Sequence, residues 1–376
     1  MKMIIFFTNQ AQGASLQYRT KMNSRPTQMR GPGLTRAART MAVLRMGGPV
    51  LLPFLGWLAA TFLTPSAPAA AAELVIYSGR KESAIKPVVE LFERKTGTKV
   101  VLKTGKTSGL ANEILQERQR PRADVFIATE AGVCEVLARE GVLESYMPAG
   151  ARSIPPEYRS SKGFWTGISG RARVIIYNKH LVRDREAPNS VLDLTDAKWK
   201  GKVAIAGTRE RTTLSWLSAL VHVMGEREAK AYIDALIRDG LKILPDNSDV
   251  WRGVGSGEFA LGLTNSPNYH LALKAGFAVG VIYPDQGPTR MGSLVNPNAV
   301  AILKGTKNPA DAKRFVEFIL GPEAQAILTR HAFEIPLVPG TDAGDVRPLS
   351  SFKVLRISQE RLADLEERTI GLYPGF

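Results

Sequence analysis

Four polar turns hold the groups best suited to grip a small ligand. Each follows an apolar, β-rich run and precedes a helical pattern, which is where open α/β sheets bind ligands at the carboxyl ends of their strands. The first, Tyr77-Ser78-Gly79-Arg80-Lys81-Glu82, sets free backbone N–H groups beside a hydroxyl and two cations, a cradle for an oxyanion or carboxylate. The second, Lys103 to Gly109, repeats that chemistry with Lys106, Thr107 and Ser108. The third offers Thr129 and Glu130, although Glu130 is explained equally well as an acid in the first turn of a helix. The fourth, Gly207 to Thr213, brings Thr208, Arg209 and Thr212 to another helix start. The plain alternative for each turn is a capped connection with solvated charges.

Two further groups of residues point the same way. Ser169, Arg171 and Arg173 lie in a long β-rich segment, where equal parity puts the two arginines on one face of a regular strand. Asn247, Ser248, Asn265, Ser266 and Asn268 are short polar residues just after strand-like runs. Tyr269 and His270 are candidate metal ligands together with Glu130, although packing is the commoner fate of such aromatic residues.

No catalytic pattern competes with these turns. The sequence contains no G-x-S-x-G, no G-x-x-x-x-G-K-[ST], no H-E-x-x-H and no C-x-x-C, and its four histidines are scattered. Its single cysteine, Cys134, reads as a small buried hydrophobe. A binding protein with no catalytic residue and no resident cofactor is therefore expected, and a secreted enzyme on the same fold is the remote alternative.

The formal net charge of +15 is misleading as a pointer to nucleic acid. Eight of the 50 basic residues and none of the 35 acidic ones precede residue 73, so the rest of the chain holds 42 against 35. That is a mildly basic surface with no basic, aromatic-interleaved stripe. The basic stretch ending at Arg45, the apolar run Val50–Leu63 and the Ala-rich tract ending at Ala72 form a secretory signal pattern with cleavage near Ala72. The apolar run, broken by Pro53 and Gly56, is shorter than the roughly 20 residues a membrane span needs. A periplasmic or secreted protein, monomeric in form, is expected.

The elements that must position these turns alternate. Strand-like runs at 73–77, 99–102 and 123–128 are separated by helical patterns at 83–96 and 109–119, and 133–140 follows as a helix. A second alternation begins from Lys198, with a strand at 202–206. The expected fold is α/β with two lobes, each an open and mostly parallel sheet flanked by helices, joined by extended hinge crossovers. The expected domains are an extension and signal at 1–72, lobe 1 at 73–168, lobe 2 at 169–275, and at 276–376 a return to lobe 1, beginning with a strand at 280–283, with C-terminal helices.

Six stretches carry a resemblance to a known family: Val75–Glu82, Ala123–Ala128, Gly167–Asn178, Asp193–Ala206, Val295–Gly305 and Ala310–Leu320. Together they make the chain similar to periplasmic substrate-binding proteins of the ferric-iron type, in the type 2 periplasmic-binding fold. The resemblance implies a cleft between lobes that closes on a small ligand and presents it to an ABC permease with its ATPase. It also implies Fe³⁺ as the transported ligand, and a ferric ion held with a synergistic anion would reconcile the metal-binding with the anion-binding groups. Iron-binding members carry two adjacent tyrosines after the strand that matches 262–264, and an ungapped alignment puts Pro267 and Asn268 there. Tyr269, His270 and Glu130 are left to take the metal, and the many cations and hydroxyls make a small phosphorylated, phosphonate or carboxylate anion the alternative ligand.

Overall fold

The computed structural model describes residues 73–374 and 376. The expected secretory extension at 1–72 lies outside them. The first part of the fold is a βαβαβα run in which β1 (Leu74–Ser78) pairs in parallel with both β2 (Val100–Thr104) and β3 (Val125–Ala128). Helices α1 (Glu82–Thr96), α2 (Thr107–Gln116) and α3 (Ala131–Arg139) connect and follow these strands. Helix α1 buries Ile85, Val88, Val89 and Phe92 along one face and ends at Gly97, whose φ of 74° forms a left-handed cap that a side chain would strain.

A two-residue strand β4 (Leu143–Glu144) precedes the longest strand, β5 (Thr166–Asn178). The second alternation comprises β6 (Val203–Ala206), α4 (Arg211–Met224), α5 (Glu226–Arg238), β7 (Lys242–Leu244), α6 (Asn247–Ser256) and β8 (Leu261–Asn265). The chain continues through α7 (Ser266–Lys274), β9 (Val279–Ile282), β10 (Val295–Leu303), α8 (Pro309–Ile319), α9 (Pro322–Ala332) and α10 (Gln359–Leu372).

The two halves share β5. Its residues 166–172 pair antiparallel with β10, and residues 173–177 pair antiparallel with β8. The strand order is β2-β1-β3-β10-β5-β8-β6-β7, with β4 beside β10 and β9 beside β5. The protein is thus two-lobed α/β, but the sheet is mixed. Parallel pairing is confined to β2-β1-β3 and to β8-β6-β7, because β5, β9 and β10 are the strands that carry the chain between halves and must run against their neighbours.

Three elements differ from the sequence expectation. The strand expected to open the return to the first lobe, at 280–283, is β9, and it pairs with the second part of β5. The segment after β8, expected only to supply short polar residues after a strand-like run, is helix α7, started by Asn265 with Ser266-Pro267 in its first turn. Helix α10 buries Leu362, Leu365 and, just beyond its end, Tyr373 in the core formed with α4 and α5 of the second half.

Each half has its own core. In the first, Phe92 of α1 meets Phe315 of α8 edge to face at 5.1 Å. In the second, Trp216, Leu217 and Leu220 of α4 pack with Ile175 of β5 and Ile205 of β6.

β5 packs closely into the first core at one point. A Cβ on Gly167 would lie 2.4 Å from the Tyr158 carbonyl oxygen and 3.0 Å from Leu337. Gly167→Ala is expected to destabilise the protein by roughly 1–3 kcal/mol, seen as a lower urea midpoint at unchanged m-value.

Candidate functional site

The register of β5 decides where the strand ends meet. Ala128 at the end of β3 faces Ala299, and in turn β10 sets Asn296 opposite Arg171. From the other half, Asn265 at the end of β8 is opposite Arg173. The carboxyl ends of the parallel strands in both halves therefore point at the middle of β5, where Arg171 and Arg173 project on one face.

Arg171 serves the first half. Its guanidinium pairs with Glu130 Oε1 at 2.9 Å and also donates to the Thr129 carbonyl. Thr129 Oγ1 donates to Glu130 Oε2 at 2.8 Å and lies 2.7 Å from Thr107 Oγ1, so the β2 and β3 turns are tied together. Gly79 is required there, since a Cβ on it would sit 1.9 Å from Thr107 Oγ1. Ser108 and Gly79 are half-buried beside these groups, while Lys81 and Lys106 are exposed.

Arg173 serves the second half and is 1% exposed. It donates to Asn247 Oδ1 at 3.0 Å, Asn265 Oδ1 at 3.3 Å and Thr213 Oγ1 at 3.0 Å. These acceptors come from the starts of α6 and α4 and the end of β8. Burial pushes the guanidinium down to about 9; the Glu210 carboxylate opposes this shift and the nearby Arg171 charge adds to it. It remains a cation at neutral pH.

Glu210, at the start of α4, is the second carboxylate of the site. Its Oε2 accepts from Asn247 Nδ2 at 2.9 Å, and Asn247 and Asn265 both donate to Thr212 Oγ1 at 3.3 Å. Burial raises the Glu210 pKa, and the Glu130 charge raises it further, so the two acids, one from each half, sense each other across the site. Neither Glu210 nor Thr213 was singled out from sequence, since an acid and a threonine at a helix start are ordinary capping residues.

Several expected residues are used structurally. Arg80 is 3% exposed, and its guanidinium binds Glu334 at 2.7 Å, with Ser169 Oγ on the same oxygen at 2.5 Å. Ser78 Oγ accepts from the Arg80 N–H at 3.2 Å. Thr208 is bonded to the carbonyl of the C-terminal Phe376 through both its N–H and its hydroxyl, while Arg209 is exposed. Ser266 Oγ accepts from the Ala172 N–H at 3.1 Å, Asn268 donates to Thr264 at 2.6 Å, and Ser248 is in the first turn of α6.

Tyr269 and His270 lie on α7. They pack edge to face, and His270 stacks on Phe333 at 5.0 Å with ring planes 8° apart. Burial lowers the His270 pKa, which favours the neutral ring. Glu130, the third residue expected with them, is engaged by Arg171 and Thr129. Among the described residues no group of three or more His, Cys, Asp and Glu side chains is placed to hold a metal.

Three surface cavities of 460, 880 and 340 Å³ lie away from this meeting point. Their walls bring together no set of buried polar groups comparable to that around Arg171 and Arg173, so the strand-end site is the functional candidate.

The fold is shared with known proteins. Residues 120–362, more than half of the chain, match the family described as bacterial extracellular solute-binding protein. The chain belongs to that family. Among the relatives of this solute-binding protein, the major ferric iron-binding protein of Neisseria meningitidis is 29% identical over 322 residues, covering 83% of this chain and 95% of the relative. The iron-bound HitA structure from Pseudomonas aeruginosa superposes with a TM-score of 0.74 at 27% identity, covering 81% of this chain and 99% of HitA. The Trichodesmium protein IdiA (FutA) in complex with iron and citrate gives a TM-score of 0.72 at 28% identity, with 81% and 98% covered.

Two outcomes follow from the charges. Arg173→Met should cost roughly 2–4 kcal/mol in urea unfolding, because it removes charge-assisted bonds and strands Asn and Thr acceptors. Glu210→Gln should stabilise the solute-binding protein at neutral pH. A carboxylate whose folded pKa is raised loses stability as pH climbs from the ordinary glutamate range through the raised value, so the variant's melting temperature should lack that decline.

Proposed function

We propose that this solute-binding protein is the periplasmic receptor of an ABC importer for ferric iron, which it delivers to a membrane permease driven by an ATPase. The observation that carries the reading is the convergence of strand ends from the two halves on β5, where Arg171 binds Glu130 and Asn247, an acceptor for Arg173, donates to Glu210. Carboxylate oxygens are hard donors suited to Fe³⁺, and a trivalent cation between them would relieve their mutual repulsion. The ferric-iron names of the full-length relatives support the same reading.

The cations beside these acids give iron a partner anion. Arg171 holds Glu130 through one terminal nitrogen, and its buried Nε has no partner among the described residues. A small carboxylate or phosphate bound beside the metal would meet the N–H edge of the planar guanidinium. The iron and citrate found with the Trichodesmium relative are of this chemistry. Contacts from both halves to one guest would then favour closure about β5.

The test is titration of the metal-free protein with ferric citrate, read by native mass spectrometry and calorimetry. One iron per chain is expected, with Glu130→Gln and Arg171→Ala each weakening it about tenfold or more. Retention of an organic phosphate and no iron by the wild-type protein would overturn the reading.

A further inference from the structure

The two site helices are joined from outside by a third. α3 begins just after Glu130 and α4 just after Glu210, and α10 touches both. Its two sides differ in chemistry. Towards α4 and α5 it is apolar and buried: Leu362, Leu365 and, beyond the helix end, Tyr373 are 1–4% exposed in the second core, and Thr369 bonds Ser218 at 3.0 Å. Towards the first half its contacts are polar, and the outer ones are exposed. Arg139 of α3 pairs with Asp364 at 2.7 Å, with the two side chains 49% and 51% exposed, and Ser161 donates to Glu360 at 3.0 Å.

Glu366 sits where both helices start. It is 8% exposed, binds Arg211 in the first turn of α4, and has Oε1 only 3.5 Å from where a Cβ on Gly132, in the first turn of α3, would stand. One buried carboxylate thus faces the positive ends of two helices from opposite halves.

We infer that α10 is a brace across the cleft, and that Asp364 and Glu366 are positioning residues that set the spacing of Glu130 from Glu210. The apolar seam keeps α10 on the second half, while the exposed ion pair to α3 is weak enough to break and re-form each time the lobes part. Opening therefore proceeds by release of the α3–α10 contact, and ligand release is tied to it. The link to release rests on the ferric-iron reading; the spacing of the halves does not.

Spin labels at Glu90→Cys on α1 and Val223→Cys on α4 report the spacing of the halves in the full protein, since Cys134 is buried. Asp364→Arg should shift the ligand-free distance distribution to longer values and speed iron release from the ferric citrate-loaded protein about fivefold. The double swap Arg139→Asp with Asp364→Arg should restore both. Glu366→Gln, nearly isosteric, should broaden the distances in the same direction, whereas Glu186→Arg, which disturbs an exposed pair inside the second half, should change neither. Unchanged distances in Asp364→Arg and Glu366→Gln, or a folded double swap that fails to restore the wild-type distances, would overturn the brace. If the wild-type protein takes up no iron, the functional reading fails, while the distances still decide the brace.

Discussion

The structure depends on one strand being hydrogen-bonded into two sheets at once. β5 gives its first seven residues to β10 and the rest to β8 and β9, so neither half can form its sheet edge without it. Pairing on both sides fixes its register, and a one-residue slip would turn Arg171 and Arg173 away from the strand ends they serve. The buried charge on Arg173 reinforces this constraint. A guanidinium with 1% exposure has to find its acceptors inside the protein, and it finds them on three separate elements of the second half.

Two arginines two residues apart thus do different work. Arg173 is committed to neutral acceptors and holds α4, α6 and β8 in place. Arg171, partly exposed, holds Glu130 and the turns of the first half. The pair is at once the structural pivot and the electrostatic floor of the site. Arg171 holds its carboxylate on the first half, while on the second half Asn247 accepts from Arg173 and donates to Glu210.

The Arg80–Glu334–Ser169 cluster is the counterpart on the first half. Glu334 follows Phe333, whose φ of 53° ends α9 in a left-handed turn, and Ile335 then exchanges backbone bonds with Gly170. A chain segment from the far end of the sequence is therefore locked against β5 beside the pivot. The buried ion pair anchors that segment, which is why Arg80 holds a position in the framework.

Much was legible in the sequence because it is local. Apolar spacing marks α1, α4, α5 and α8, β-rich runs mark β3, β5 and β8, and the helix-start chemistry of the turns at Thr107, Thr129 and Thr212 predicts polar strand ends. Helix α7 is not legible because Asn265-Ser266-Pro267-Asn268 has the composition of a turn, and the helix it begins packs across β5 and β9. The sequence by itself determined the two alternating α/β halves and the residue types at their strand ends, since these follow from periodicity and backbone chemistry within a few residues. Tertiary structure alone decided which of those residues face one another. The partnership of Glu130 with Arg171, the approach of Glu210 from the other half, and the diversion of Arg80 to Glu334, 254 positions away, depend on long-range register, on which no local pattern of residues bears.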